Sequence, residues 1–201
     1  IFACWGLSSC MIEKNHILSG KNSLIGEIGH MIIDPHDSEP CGCGSRGCFE
    51  RLVSAGRLQR LLKEQSLRFP ESALLRRPAE DLTIPDMFAA SEKGDPLARF
   101  LVAYLAENFA RALRNISLVF DPDLVVFQGD YAYADSCFDR RLRENLSSFR
   151  YFPSSAPFDI RYDRRPLSEL DALGSCIALM DQFFDSPALY RDSQAADSTA
   201  P

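Results

Sequence analysis

The sequence predicts an α/β fold in which a mixed sheet is flanked by helices. The continuous apolar run 124–127 is short enough to be the central strand of a covered sheet. Before it, apolar residues recur mostly every three or four positions over 97–116, which indicates a long amphipathic helix. At the start of the chain, residues 1–6 and 9–13 are typical of paired strands around a turn at 6–8.

The remaining elements follow in chain order. Residues 14–16 turn into a third short strand, which would complete a β-meander. Leucines within 50–65 predict a helix, and the polar, proline-containing segment 66–82 predicts a loop or short helices. Asp95-Pro96 predicts the start of the long helix, because aspartate is a good N-cap and proline fits the first helical position. The last predicted elements are a helix over 138–149, an edge strand over 158–162 and a helix over 167–184.

The two ends of the chain differ from its middle. Residue 1 is isoleucine and residues 1–4 are typical of a strand already under way, so we expect either a fragment or an N-terminally eroded chain. Beyond Asp185 the composition turns to Ser, Ala, Asp and Pro, which is typical of disorder. We therefore expect one folded domain over 1–184 and a disordered tail over 185–201.

Composition limits the classes of partner. With 201 residues and 46% hydrophobic content, the chain can bury one sizeable core. Its net charge of -6 argues against nucleic-acid contact by this segment, which would need a basic face. The opening apolar run is interrupted by Gly6, Ser8 and Ser9 and lacks a basic leader, so it predicts neither a signal peptide nor a membrane span. We expect a cytoplasmic protein without a membrane partner.

One sulfur-rich set of four donors dominates the chemistry of the chain. Cys41, Cys43 and Cys48 fall within the eight residues CGCGSRGC, and His30 lies eleven positions before Cys41. Three thiolates and one imidazole suit tetrahedral Zn²⁺ and would close its coordination shell, so the predicted zinc site is structural. Intervening glycines would let the backbone turn tightly enough for the thiolates to converge: Gly42, Gly44 and Gly47.

Other interpretations of these residues stay open. The three cysteines could be reduced and partly buried, or two of them could form a disulfide, although an odd total of seven cysteines argues for a reducing compartment. The substitute metal ligand for His30 is His36, which, like His16, is interpreted as a solvent-facing loop residue. The other cysteines are expected to be inert core residues: Cys4, Cys10, Cys137 and Cys176.

The stretch 26–54, GEIGHMIIDPHDSEPCGCGSRGCFERLVS, resembles the signature of the ROK family of sugar kinases and sugar-responsive transcriptional repressors. The resemblance rests on E-x-G-H followed by C-x-C-G-x-x-G-C-x-E, with weaker similarity over 121–129 and 167–179. It implies an actin/hexokinase-like (ribonuclease H-like) C-terminal domain in which the histidine and three cysteines bind zinc. It also implies that Glu27, His30 and Glu50 contact the hydroxyls of a hexose or N-acetylhexosamine. We also expect a homo-oligomer, a dimer.

Physical chemistry agrees with these sugar-binding roles. Glu27 is flanked by isoleucines, and its charge would be costly to bury without a polar partner such as a sugar or solvent. Glu50 follows residues 34–48, called the cysteine loop below, and a closed metal site would fix the backbone that carries it. Ordinary surface carboxylates are the alternative for both residues.

Two segments depart from the pattern of the family's kinases. Residues 4–10, CWGLSSC, keep one glycine where a ROK kinase has G-T-G-I-G-A-G, so side chains could obstruct the approach of phosphate. Gln128-Gly129-Asp130 replaces a glycine run, and an aspartate would repel a polyphosphate. The kinases' aspartate-glycine phosphate loop and the N-D motif with the catalytic base have no counterpart in this chain. We therefore expect no ATP cofactor, no catalytic residue and no enzymatic activity for this chain alone.

Three functions compete at the level of sequence. The preferred one is the sugar-sensing regulatory domain of a ROK-type transcriptional repressor. The alternatives are the C-terminal part of a ROK sugar kinase and a degenerate remnant that folds and binds zinc without a ligand. The altered glycines favour the repressor over the kinase, since truncation does not explain changes within the retained part. No feature identifies the particular sugar.

Overall fold

The computed structural model describes residues 1–3, 6–14, 16–148 and 158–185. The chain divides into two compact units, residues 1–163 and residues 164–201. The first unit contains the sheets, the core and the predicted donor set. The described part of the second unit is one helix, and the predicted tail beyond residue 185 lies outside the described residues.

The main sheet of the first unit has four strands and mixed direction, as predicted. Its strands, in spatial order, are β2 (Leu7–Ser8), β1 (Phe2–Ala3), β5 (Leu124–Gly129) and β6 (Asp159–Tyr162). The outer pair β1 and β2 is antiparallel, whereas β5 runs parallel to both β1 and β6. β5 is therefore an interior strand and β6 an edge strand, which confirms both predictions.

The predicted meander at the start of the chain is wrong in its pairing. Leu7 and Ser8 were expected in a turn, but they form β2, which pairs with β1. β3 (Ile12–Glu13) and β4 (His16–Ile17) form a separate two-stranded sheet. The buried side chain of Leu7 explains the difference, since it joins the core and holds β2 in the main sheet.

Six α-helices are present in the described ranges. They are α1 (Phe49–Val53), α2 (Ala55–Gln65), α3 (Ile84–Glu92), α4 (Pro96–Phe120), α5 (Ser136–Ser147) and α6 (Leu167–Asp185). None of the helices in these ranges is long and apolar enough to cross a membrane.

The long helix and its N-cap agree with the sequence-based prediction, whereas two other helices do not. Asp95 accepts from the N–H of Ala98 and so caps α4 as predicted. The single helix predicted over 50–65 is broken at Ser54, whose hydroxyl accepts from the N–H of Arg57 and starts α2. Helix α3 was not predicted, although Thr83 and Asp86 form a capping box at its start.

Aromatic side chains from the helices and the sheet form the centre of the core. The ring of Phe109 on α4 lies 4.9 Å from that of Phe49 on α1 and 5.4 Å from that of Phe127 on β5. After β5, a 3-10 turn places Tyr131 4.5 Å from the Phe109 ring. The Tyr131 hydroxyl donates to the carbonyl of Val53 at 2.5 Å. The core therefore fixes α1, which follows the cysteine loop directly.

Candidate metal centre and adjoining groove

A single 3-10 turn, Ile28–His30, carries the first residues of the site. The turn lies so close to β2 that a Cβ atom on Gly29 would meet the carbonyl oxygen of Leu7 at 2.3 Å. Burial of Ile28 and Gly29 directs the neighbouring charged residues outwards, and both Glu27 and His30 are exposed. Packing of the turn on β2 therefore explains why the two middle residues of E-I-G-H are buried and the two outer ones exposed.

The cysteine loop folds back on the segment that follows the turn. The N–H of Phe49 donates to the carbonyl of Met31 at 2.9 Å, and Ile32 forms an antiparallel bridge with Cys48. At the tip, the N–H of Cys41 donates to the carbonyl of Ser45 at 2.8 Å. This backbone pairing brings the start and the end of the loop to His30.

The structure brings the four predicted donors together. The potential ligand atoms of His30, Cys41, Cys43 and Cys48 all lie within 4.8 Å of one another. The Sγ atoms of Cys43 and Cys48 are 3.6 Å apart, and Cys41 Sγ is 3.6 Å from His30 Nδ1. Two thiolates on tetrahedral zinc at ~2.3 Å would lie ~3.8 Å apart, so these separations fit the ion. His36, the substitute ligand, does not belong to the cluster and is exposed, as is His16.

The three thiols are free and differ in environment. Cys41 and Cys48 are buried, whereas Cys43 is exposed. A hydrogen bond from the backbone N–H of Ser45 lowers the pKa of Cys43 to about 7. Burial raises the pKa of Cys48 to about 12. A metal ion must displace a proton from Cys48 at neutral pH, so binding at this site would be linked to pH.

His30 faces the cysteines with one ring nitrogen and Glu27 with the other. Its Nδ1 atom is the one near Cys41, and its Nε2 atom lies 3.8 Å from Glu27 Oε2. The imidazole could therefore bind a metal through Nδ1 while Nε2 stays available to a second partner. Both side chains are about half exposed, which leaves room for a ligand on the Glu27 side.

Glu50 lies in the first turn of α1 and is tied to the sheet. Its Oε2 atom accepts from the backbone N–H of Leu7 at 2.8 Å. The carboxylate also lies beside Gly29, where an added Cβ atom would be 3.3 Å from Oε2. One oxygen of Glu50 is thus engaged by β2, which fixes the orientation of the carboxylate next to the 3-10 turn. Sequence reasoning did not anticipate this backbone contact.

An open groove adjoins the turn on the Glu27 side. It has a volume of about 420 Å³, and its lining includes Lys21, Asn22, Ile25, Glu27, Met31 and Phe120. Apolar side chains form much of its wall, with polar groups at Lys21, Asn22 and Glu27. This combination suits a small ligand with both apolar and polar faces.

Sequence reasoning also missed a set of ion pairs behind the cysteine loop. Arg57 pairs with Asp37 and Glu39, and Glu39 also pairs with Arg51 and Arg60. The available signal was the pair of loop acids two residues apart, followed by three arginines on the next two helices. Such spacing is common in solvated segments, so the pattern did not distinguish this cluster.

The prediction that the remaining cysteines are inert core residues is largely wrong. Cys137 is buried, but Cys10 and Cys176 are exposed. Cys4 lies outside the described residues. Apolar neighbours in the sequence predicted burial for these cysteines. Cys10, in the loop after β2, and Cys176, on α6, nevertheless lie at the surface.

The prediction for the glycines of the cysteine loop holds in part, since Gly44 and Gly47 have positive φ and Gly42 does not.

The segment after β5 has features that bear on nucleotide binding. β5 ends at Gly129 with φ 69°, and Asp130 begins the following 3-10 turn. Desolvation by partial burial raises the pKa of Asp130. The carboxylate lies at the carboxyl end of a parallel strand, the edge at which α/β sheets commonly bind ligands.

Both the sequence and the fold of the chain match those of known proteins. The ROK family model matches residues 5–163, so the chain belongs to the ROK family. This confirms the resemblance and the actin/hexokinase-like fold. A glucokinase from Streptomyces griseus, solved with glucose and AMPPNP, superposes with a TM-score of 0.66 at 24% identity, covering 80% of this chain and 53% of that one.

Relatives of two functional kinds match in sequence. A glucokinase from Halalkalibacterium halodurans is 27% identical over 146 residues, which are 72% of this chain and 44% of the enzyme. The DNA-binding transcriptional dual regulator NagC from Escherichia coli is 28% identical over 130 residues, which are 65% of this chain and 31% of the regulator. The chain thus spans less than half the length of these relatives.

Proposed function

We propose that this chain is the sugar-sensing, zinc-containing regulatory domain of a ROK-type transcriptional repressor. The observation that carries the proposal is the orientation of His30, with Nδ1 towards Cys41 and Nε2 towards Glu27, which in turn lines an open groove. One imidazole can then serve a metal ion and a sugar hydroxyl at once. The ion would fix the tautomer of the ring and with it the hydrogen-bonding role of Nε2.

The proposed zinc site uses His30, Cys41, Cys43 and Cys48. Separations of 3.6 Å between donor atoms fit tetrahedral coordination, and four protein donors leave no open position. The ion would supply structural stability and orientation rather than Lewis-acid chemistry. Glu27 and Glu50 would accept hydrogen bonds from hydroxyls of a hexose or N-acetylhexosamine, each as a charged acceptor.

Two observations favour sensing over phosphoryl transfer. Within residues 4–10 only Gly6 remains of the glycines that let backbone N–H groups approach phosphate in the family's kinases. At the end of β5, Asp130 stands where the family's kinases have a glycine run, and its carboxylate, when ionised, would repel a polyphosphate that approached this edge. Sugar binding on the Glu27 side requires neither the missing glycines nor a phosphate at the end of β5.

Calorimetry against a panel of hexoses and N-acetylhexosamines tests the proposal. We expect the zinc-loaded chain to bind one or more of these sugars, with an affinity down to the millimolar range, about 4 kcal/mol of binding free energy. A chelator that removes zinc should abolish the binding. Folded, zinc-loaded protein that binds no sugar at millimolar concentration would instead support a degenerate remnant without a ligand.

The kinase alternative is favoured by one observation, the match of 72% of this chain to a glucokinase. An assay for ATP-dependent phosphorylation of the sugars that bind separates the two functions. We expect no turnover, because no carboxylate of the site is assigned to deprotonate the accepting hydroxyl. Turnover that depends on ATP would replace the repressor proposal by the kinase.

A further inference from the structure

Two acidic side chains of the cysteine loop point into a cluster of arginines. Arg57 Nη2 donates to Asp37 Oδ2 at 2.6 Å, and Arg57 Nη1 donates to Glu39 Oε2 at 3.4 Å. Arg51 and Arg60 also donate to the carboxylate of Glu39. The three arginines come from α1 and α2, so the loop is joined to both helices.

The carboxylates of this cluster are largely withdrawn from solvent. The side chain of Asp37 is 6% exposed and that of Glu39 is 14% exposed. Exposed ion pairs contribute little, but a buried carboxylate is costly unless it keeps its partner. Arg57 also donates from Nε to the hydroxyl of Tyr104 on α4 at 3.2 Å. Its guanidinium therefore links the loop to a helix of the core.

The arginine cluster restrains the cysteine loop at a point close to Cys41, the first of its thiols. Besides pairing with Arg57, Asp37 accepts through Oδ1 from the N–H of Glu39 at 2.8 Å. Glu39 stands two residues before Cys41, whose own N–H is bonded to the carbonyl of Ser45 at 2.8 Å. The arginines and loop acids thus restrain the path of the backbone towards Cys41, although none of them is one of the four proposed metal ligands.

We propose that Arg57 is a positioning residue for the metal centre, which holds the cysteine loop so that the four donors are assembled before a metal ion binds. The inference rests on the proposed zinc site and extends it to a residue outside the donor set. Ordering a loop costs conformational entropy. When the arginine cluster orders the loop during folding, that cost does not weaken metal binding.

Zinc competition on the full chain tests this role. The variants are Arg57→Gln, which removes the charge, and Arg57→Lys, which can pair with one carboxylate but cannot bridge two. Arg111→Gln is the matched control, since Arg111 forms a 2.6 Å helix-surface pair with Glu107 on α4. The double variant Asp37→Asn with Arg57→Met removes both charges together and avoids an orphaned carboxylate.

We expect Arg57→Gln and the double variant to lose about 10- to 100-fold in zinc affinity, as is typical when groups that orient metal ligands are removed. Arg57→Lys should lie between these variants and wild type, and Arg111→Gln should equal wild type. In metal-free protein, amide exchange at Cys41 and Gly44 should become faster in Arg57→Gln. The visible spectrum of bound Co²⁺ should stay tetrahedral at saturation, because the donors themselves are unchanged.

The outcomes separate this inference from the proposed function. If wild type binds zinc and the folded Arg57→Gln or double variant binds it equally tightly, the positioning role is overturned while the zinc site stands. A wild-type chain that binds no zinc overturns the zinc site and this inference together. If Arg57→Gln does not fold, the double variant decides, and unchanged amide exchange at Cys41 in that variant also contradicts the proposal.

Discussion

At the scale of the single residue, Cys43 is the exposed one of the three clustered thiols, and its substitution tests the metal centre. We expect wild-type protein to contain about one zinc per chain and Cys43→Ser to lose it, because three donors remain for a site that four would close. Structural zinc contributes ~10 kcal/mol or more in small zinc domains, so the melting temperature should also fall sharply. Metal analysis and thermal unfolding measure both effects.

Cys176→Ser is the control for the cysteine prediction. Cys176 is also exposed but lies on α6, outside the donor cluster. Its substitution should leave the zinc content unchanged. Freshly reduced wild-type protein without zinc would contradict the prediction.

Glu27 and Glu50 carry the sugar-binding proposal. Glu27→Gln and Glu50→Gln should each weaken sugar binding by ~1 to 3 kcal/mol through loss of a charge-assisted hydrogen bond. Zinc content should not change, since neither carboxylate is a proposed ligand. In Glu50→Gln the amide oxygen can still accept from the N–H of Leu7, so the local fold should survive. Calorimetry with the best sugar of the panel measures the effect.

An exposed glutamate away from the site provides the comparison. Glu71→Gln changes the same charge in the segment between α2 and α3. It should bind sugar as wild type does. Equal affinity of Glu27→Gln, Glu50→Gln and wild type would remove the two glutamates from the sugar site.

At the scale of the element, the cysteine loop depends on one close backbone approach. Gly47 has φ 70°, and a Cβ atom there would meet the carbonyl oxygen of Asp34 at 1.8 Å. Gly47→Ala should therefore cost at least ~2 kcal/mol of stability and weaken zinc binding, because the two arms of the loop must move apart. Gly42→Ala is the matched control, since a Cβ atom at Gly42 meets nothing within 4 Å.

Denaturant unfolding and zinc competition on the two alanine variants check this prediction. Gly42→Ala should stay within ~0.5 kcal/mol of wild type, as is usual for substitutions that meet no neighbour. Equal stability of Gly47→Ala and Gly42→Ala would show that the loop accommodates a side chain at position 47.

At the scale of the whole molecule, stability should depend on metal and on pH together. Protons compete with zinc for the thiolates, so the apparent zinc affinity should rise with pH. Cys48, whose pKa is raised to about 12, releases a proton on binding throughout the accessible range. Cys43, whose pKa is lowered to about 7, releases one only below that pH. The logarithm of the affinity should therefore change more steeply with pH below about 7 than above it.

Competition and thermal unfolding between about pH 6 and pH 8 check this dependence. A zinc concentration of 1,000 times the dissociation constant adds ~4 kcal/mol to the free energy of unfolding. If that concentration is kept constant, the increment should shrink as the pH falls, because the dissociation constant rises. With a chelator present, the increment should vanish. A slope that is the same on both sides of pH 7 would contradict the lowered pKa of Cys43.

How much of the fold was predictable from the sequence depended on the range of the forces that form each element. Helix α4 and strand β5 were predicted correctly because apolar periodicity and the Asp95-Pro96 cap act locally. The pairing of β2 and the break at Ser54 were not predicted. The pairing of β2 depends on partners distant in sequence, as when Leu7 is buried in the core. The cap at Ser54 is local, but the leucines on both sides of it indicated one continuous helix.

The sequence by itself determined which atoms could form the site. The donor spacing, the E-x-G-H turn and Glu50 are local features, and their chemistry is set by residue type. Only the tertiary structure decided that Nδ1 of His30 faces the cysteines, and that Glu50 accepts from Leu7. It also decided that Arg57 reaches from α2 to the loop acids and to Tyr104. The physical reason is that side-chain orientation, and hydrogen bonds between residues 20 or 47 positions apart, depend on how the elements pack, and residue type and spacing do not determine that packing.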